Sequence, residues 1–379
     1  MHVLIAPNAF KHALDASEAA SAIQAGLQAS RLTCSCECFP IGDGGNGTCK
    51  LIVDRLGGRS VEVQVADPLG RPIVAHFGLV DDDHTAVVEM ADASGLHLLR
   101  EEELNPLHAH SFGTGQLIKA ALDHGARRII IGMGGSATVD GGSGILAALG
   151  VRFLDEAGTE ITDLPSGLSR LHALDRSTVD RRLADCQLII LCDVDNPLLG
   201  EQGAAAVFGP QKGATPDTVA ELEGILRSFA SVIQQETGCD ITAFPSGGVA
   251  GGASAGLVGL FGAELVNGID YFLQLTHFDE ALSKSQLVIT GEGSIDEQTL
   301  QGKGPYGVAK QAKQKGIPVI GLAGKVPVQI SDDLNHYFDM VLPIGHAPTT
   351  LDEALPLTGD SLTRTALQLG NLIAGLRTE

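Results

Sequence analysis

Residues Ile129 to Gly150 read "IIIGMGGSATVDGGSGILAALG", an apolar run that feeds a glycine-dense loop and then a short helical pattern. Strand, loop and helix in this order form the repeating unit of α/β folds with parallel strands. Gly132-x-Gly134-x-x-Ala137 fits the dinucleotide fingerprint, and Asp155 follows at about the twenty-residue distance that fingerprint expects. The stretch can therefore be an NAD turn, a phosphate cradle of another kind, or a tight turn without a ligand. In the dinucleotide fold the helix begins at the second glycine, where its N–H groups meet the pyrophosphate. Here the helical pattern starts no earlier than about Ser143, and Asp140 brings a carboxylate to where the diphosphate would lie. Loop N–H groups, the Ser136 and Thr138 hydroxyls and the Asp140 carboxylate suit a phosphate–magnesium complex better.

Working outward, the first ~58 residues follow a β-α-β-α rhythm. "HVLIAP" is an apolar strand, and Asp15-x-x-Glu18 announces a helix through an acidic capping pattern. "CECFPI" is a second strand, and "GNGTCKLIVDRLGG" is a helix closed by Gly57 and Gly58. The rhythm then breaks into "SVEVQV", "PIVAHFGLV" and "TAVVEMA", three strands with no room for helices between them, which predict an antiparallel meander. Alternation resumes through "TGQLIKAALDHGARRIIIG" and "CQLIILCDVD", followed by a long helix over about Asp217 to Glu236. "QLVITGEG", a helix near Pro305, "PVIGLAG" and "MVLPIG" restore the parallel pattern of the N-terminus. The fold class expected is α/β in two domains. One, over 1–58 plus 277–379, is a parallel sheet built from both chain ends; the other, 59–276, is an inserted mixed α/β domain.

Composition narrows the partners. A 379-residue chain is long for one core, and a hydrophobic fraction of 44% supports filled globular interiors. A net charge of -21 excludes nucleic acid and anionic membrane as natural partners, because phosphate polymers need clustered Lys and Arg. The absence of Trp and the 4% aromatic content argue against stacking platforms for single strands. No apolar run approaches the ~18 residues of a membrane span, and "MHVLIAPN" is too short for a signal peptide, so a cytoplasmic location is expected. Seven cysteines then read as reduced thiols. Cys34, Cys36 and Cys38 share one face of an extended segment, which is read as a buried strand face in preference to a metal site. Oligomerisation is possible and not specified.

Acidic glycine turns follow several strands: "PIGDGGNGT" with Asp43, "GGSATVDGG" with Asp140, "LCDVDNPL" with Asp193 and Asp195, and "TGEGSIDEQ" with Glu292 and Asp296. Ligands of open α/β sheets collect outside the carboxyl ends of strands. Four acidic turns there suggest a shared cleft that needs a divalent metal and a general base. Cations stand in similar loops: Lys11 in "APNAFKHAL", Arg71 in "DPLGRP", Lys212 in "FGPQKGA" and Lys303 in "QGKGP". No G-x-x-x-x-G-K-[ST] loop and no protein-kinase signature occurs.

Taken together, "APNAFKHALDA", "PIGDGGNGT", "GMGGSATVDGG", "CDVDNPLLGEQGAAAVFGPQKGA" and "ITGEGSIDEQTLQGKGPYGVA" resemble, in order, the motifs of bacterial class I glycerate kinases. The resemblance spans essentially the whole chain. It implies ATP-dependent phosphorylation of D-glycerate, at the 2-hydroxyl, with Mg2+. It also implies two α/β domains, one flavodoxin- or Rossmann-like, with the active site in the cleft between them. Some positions depart from the family pattern. Asn8 and Ala9 replace an acid and a hydroxyl in the first motif, Asn46 stands for Glu, and Val139 for Asn. Phe112 and Ser294 occupy places where relatives often carry Arg, which bears on the hydroxy acid preferred.

On this resemblance, Gly134, Gly135, Ser136 and Thr138 are expected to hold ATP phosphates, together with Lys212 and Lys303. Asp193 is the expected catalytic acid/base, with Lys11 and Asp43 as further catalytic residues. Arg71 and Lys11 are assigned to the substrate carboxylate or the transferring phosphoryl group. Asp140, Asp195, Glu292 and Asp296 are the Mg2+ candidates. The alternatives are a glycerate 3-kinase or kinase of a related hydroxy acid and, more remotely, an NAD-dependent dehydrogenase or a small-anion binding protein.

Overall fold

The computed structural model describes residues 1–376. The chain divides into two compact units, residues 1–43 with the described residues from Ile269 on, and Gly44–Gly268. Among the described residues thirteen strands, β1–β13 in chain order, make two principal sheets and a small two-stranded one.

The first unit carries five strands in the order β13-β12-β11-β1-β2. They are β1 (His2–Ile5), β2 (Ser35–Cys38), β11 (Leu287–Ser294), β12 (Val319–Lys325) and β13 (Met340–Pro343). All neighbours pair in parallel. The central runs are apolar on both faces, as a sheet covered by helices requires. Val3, Ile5, Leu287, Ile289 and Leu322 pack with Ala19, Ile23 and Leu27 of the helix Ala16–Ala29 and with Leu362, Ala366 and Leu369 of Thr358–Leu376. The first of these helices starts as its sequence predicts: Asp15 accepts the Glu18 N–H at 2.8 Å, and the Glu18 carboxylate accepts the Asp15 N–H at 2.9 Å. Cys34, Cys36 and Cys38 are partly buried thiols packed on this core.

In the second unit, β3 (Arg59–Ala66), β4 (Pro72–Val80) and β5 (Thr85–Glu89) form the antiparallel meander expected. β6 (Arg128–Gly132), β9 (Gln187–Cys192) and β10 (Glu264–Asn267) extend the sheet in parallel from β5, giving a mixed sheet of order β10-β9-β6-β5-β4-β3. β7 (Arg152–Leu154) and β8 (Ala173–Asp175) pair separately. The helix Pro216–Thr237 covers the span read as a long helix. The unit boundary falls after Asp43, where the sequence placed it after Gly58, and before Ile269, where the sequence placed it after Thr276. The physical reason for the first shift is helix Thr48–Leu56. It packs on the meander: Gly78 has no room for a side chain against Val53 and Cys49, and the Cys49 thiol faces the Val87 carbonyl at 3.2 Å.

Candidate active site

In each unit the acidic turns lie where parallel strands end. In the first unit, β1 runs into Asn8 and Lys11, β2 into Asp43, and β11 carries Glu292 in its last turn of chain. Asn8 fastens two of these loops, its amide donating to the Asp43 carboxylate at 2.8 Å while its carbonyl oxygen accepts the Ala9 N–H at 2.8 Å. Glu292 is largely buried. Burial pushes its carboxyl up to about 7, and the Asp43 charge adds to the rise. Lys303, the Thr299 hydroxyl at 3.2 Å and Lys11 act in the opposite direction. Lys11, Asp43 and Lys303, read from three separated motifs, thus all act on Glu292. Thr299, fully buried, escaped sequence reading; its hydroxyl also accepts the Asp296 N–H at 3.1 Å.

Asp296 itself serves the turn. Its carboxylate accepts the Ser294 hydroxyl at 3.1 Å and the Gln298 N–H at 3.0 Å, which leaves the metal role expected of it without structural support. Ser294 is thereby part of the same turn.

In the second unit the opening stretch behaves as its late helix start predicted: the helix runs Ser143–Ala148. The glycines before it are required by packing against "GGN" at 44–46. The Gly134 N–H donates to the Gly44 carbonyl at 3.0 Å, and a Cβ at Gly134 would stand 2.7 Å from the Gly45 Cα. Gly135 has φ +73, and a Cβ there would collide with the Asn46 side chain. The Gly134 N–H is thereby taken up inside the protein, which removes the dinucleotide turn.

Asp140, expected at Mg2+, is fully buried, and its carboxylate accepts four donors: the Ser111 N–H at 2.9 Å and hydroxyl at 2.7 Å, the Gly142 N–H at 3.0 Å and the Gly144 N–H at 3.1 Å. A fully buried carboxylate held by four donors, three of them on one oxygen, shapes the loop. Lys212, expected at phosphate, is 2% exposed and donates to the Ser136 hydroxyl at 2.8 Å and the Thr138 carbonyl at 2.7 Å. Arg71, expected at the substrate carboxylate, is engaged by two acids, Asp67 at 2.5 Å and Glu103 at 2.7 Å. A third bond runs from Arg71 to the Leu98 carbonyl at 3.4 Å, so this half-exposed guanidinium is tied to two acids of its own unit. Phe112 opens the helix Phe112–Asp123 and meets the His110 ring edge-on at 6.3 Å.

Asp193 follows β9 directly, at the same sheet edge as the Gly132–Gly135 turn, and Asp195 lies 3.4 Å from the Ser246 hydroxyl. Two supports of this edge went unread in the sequence. Glu89, at the end of β5, accepts the Gly47 N–H at 3.0 Å and the Cys49 N–H at 2.6 Å, and so caps the helix Thr48–Leu56 from outside it. Burial pushes its carboxyl up to about 7 against the pull of those two N–H groups. The other is "SGGVAGGASAG" at 246–256, where Ser246, Ala250, Gly251 and Gly252 take positive φ and the Gly251 carbonyl accepts the Gly141 N–H at 2.9 Å. Its signal was glycine density without helical or strand period. Among the described residues no three His, Cys, Asp or Glu side chains converge as a metal-holding group.

The comparison with known proteins fits this geometry. A model of the glycerate kinase family matches residues 3–374. The chain belongs to the glycerate kinase family. A glycerate kinase of Halalkalibacterium halodurans is 45% identical over 96% of this chain and 96% of its own. The glycerate 2-kinase of Escherichia coli is 40% identical over 100% of this chain and 99% of its own. A Salmonella typhimurium LT2 protein, with a provisional glycerate kinase 2 assignment, has a crystal structure that superposes with a TM-score of 0.86 at 40% identity, covering both chains fully. Membership in the glycerate kinase family agrees with the acid-rich loops at the strand ends, and no helix among the described residues is long and apolar enough to cross a membrane.

Proposed function

We propose that the protein transfers the terminal phosphoryl group of ATP to the 2-hydroxyl of D-glycerate. The observation that carries this reading is the cluster of Lys11 and Lys303 with Asp43 and buried Glu292, in a chain of the glycerate kinase family. A chain of charge -21 repels small anions at long range, so an anionic substrate and a polyphosphate need local cations. Lys11 and Lys303 supply them, one for the substrate carboxylate or the moving phosphoryl group, the other for nucleotide phosphate. Phosphoryl transfer asks mainly for position and charge neutralisation, which fits a site of fixed loops with little covalent machinery.

Asp193 is the group proposed to orient and deprotonate the attacking hydroxyl, because it ends a buried strand at the sheet edge where ligands of such folds bind. Glu292 is the proposed oxygen donor toward Mg2+ in the first unit. Its donor chemistry fits a hard cation, and a cation would relieve the crowding of Glu292 by Asp43. When bound with nucleotide, Mg2+ supplies neutralising charge at the phosphates. The Gly134–Gly135 turn, which reaches the surface ahead of the buried Ser136 and Thr138, is proposed to receive those phosphates. A soluble, cytoplasmic enzyme acting on small molecules is the corresponding cellular reading.

The test is 31P NMR of the protein with ATP, Mg2+ and D-glycerate. Phosphorus on the 2-oxygen has one vicinal proton and gives a doublet without proton decoupling; on the 3-oxygen it has two and gives a triplet. A doublet that grows as ATP is consumed is expected. A triplet would reassign the acceptor to the 3-hydroxyl, and no glycerate-dependent ATP loss would remove the kinase reading.

A further inference from the structure

We propose that Lys212 is a positioning residue: from beneath the buried Ser136–Gly142 loop it holds in place the Gly134–Gly135 turn that reaches the surface ahead of it, and does not itself reach the ligand. This rests on the phosphoryl-transfer reading above and reverses the expectation that Lys212 contacts phosphate.

The backbone delivers the amine inward. Lys212 closes the short turn Pro210–Lys212, and Gly213 follows with φ +92, so tightly wedged that a Cβ would stand 2.8 Å from the Leu104 carbonyl carbon and Cβ. The side chain ends on two neutral acceptors of one loop, the Ser136 hydroxyl at 2.8 Å and the Thr138 carbonyl at 2.7 Å. The other end of the loop is gripped by the Asp140 carboxylate through the Gly142 and Gly144 N–H groups. The Lys212 amine and the Asp140 carboxylate therefore fix one loop at both ends, with Gly251 closing it from the side through the Gly141 N–H. Burial pushes the Lys212 amine down to about 7, against the attraction of Asp140. A lysine buried without a carboxylate in hydrogen-bond contact is a costly way to fill space, and an apolar side chain of its volume fills it as well. What the amine adds is the fixed separation of Ser136 and Thr138.

Acylation of the intact protein with an acetyl N-hydroxysuccinimide ester, read lysine by lysine by mass spectrometry, separates the two roles. Lys212 is expected to stay unmodified with and without Mg-ATP, while exposed Lys11 is modified. Modification of Lys212 that Mg-ATP suppresses would overturn the proposal in favour of direct phosphate contact. In kinetics, Lys212→Met is expected to raise the KM for ATP on the order of tenfold with the KM for D-glycerate little changed. The double variant Lys212→Met/Ser136→Ala should be no worse than Lys212→Met, since both remove one contact. Additive losses, or a fall in kcat with the ATP KM unmoved, would overturn it. Hydrogen exchange reads the loop without catalysis: amides of 137–142 should exchange faster in Lys212→Met, and unchanged exchange would count against the proposal. If Lys212→Met does not fold, the acylation result decides. If the wild-type protein forms no phosphoglycerate, the kinase reading fails, while the exchange result still tests how the loop is held.

Discussion

Glu292 shows how one residue can report on a site. Its carboxyl is raised from an ordinary 4.5 to about 7 by burial and by Asp43. Between those two values the folded protein holds a proton that the unfolded chain has released, so stability falls as pH rises through that window. Glu89, also raised to about 7, acts in the same sense. Glu292→Gln removes one of the two contributions. Thermal midpoints measured from pH 4.5 to 8 should therefore fall less steeply in the variant than in the wild type; equal slopes would mean that Glu292 ionises normally. Asp193 is tested by turnover. Asp193→Asn keeps the shape and removes the base, and kcat at saturating Mg-ATP is expected to drop by roughly 10²–10⁴-fold. Near-normal turnover would move the base to another carboxylate. Neither residue's role can be taken from its neighbours in sequence. The "TGEGSID" motif shows an acid, but the shift of Glu292 comes from its burial and then from Asp43, about 250 positions earlier in the chain.

At the scale of elements, local signals were read well where one segment contains its own cause. The Asp15–Glu18 box, the Gly57 cap with φ +68 and the late start at Ser143 each depend on residues a few positions apart. Elements whose shape is imposed by a neighbour were not read. The 246–256 segment is one, because its left-handed residues are dictated by the 138–142 loop packed against them. Gly251 has φ +68, and a Cβ there would collide with the Thr138 carbonyl. Gly238 has φ +76 with nothing within 4 Å, and so isolates the backbone strain. Gly238→Ala is expected to cost about 1 kcal/mol. Gly251→Ala should cost clearly more, on the order of 3 kcal/mol, with loss of kinase activity as the loop shifts. Denaturant melts of the two variants give the comparison, and equal losses would show that the loop yields to the added methyl.

For the whole molecule, the chain path decides what can fold alone. Residues 44–268 hold a complete mixed sheet and a contiguous apolar core that includes Phe77, Ile131, Phe153, Ile190 and Phe229. The other unit depends on both chain ends, because β1 pairs with β11 and the helices Ala16–Ala29 and Thr358–Leu376 interlock at Gly26 and Gly370. A fragment of residues 44–268 is therefore expected to unfold cooperatively in denaturant, whereas residues 1–43 alone should show no cooperative transition. A non-cooperative 44–268 fragment would mean that its core is incomplete. The sequence by itself determined the α/β class, the meander, the insertion between two parallel halves and the glycerate kinase motifs, since periodicity and turn chemistry are local. Only the tertiary structure decided which polar groups in those motifs have hydrogen-bonding capacity left. Asp140 is held by four donors, Arg71 is tied to two acids, and Lys212 is buried under the 136–142 loop, because burial and donor count depend on segments far apart in the chain.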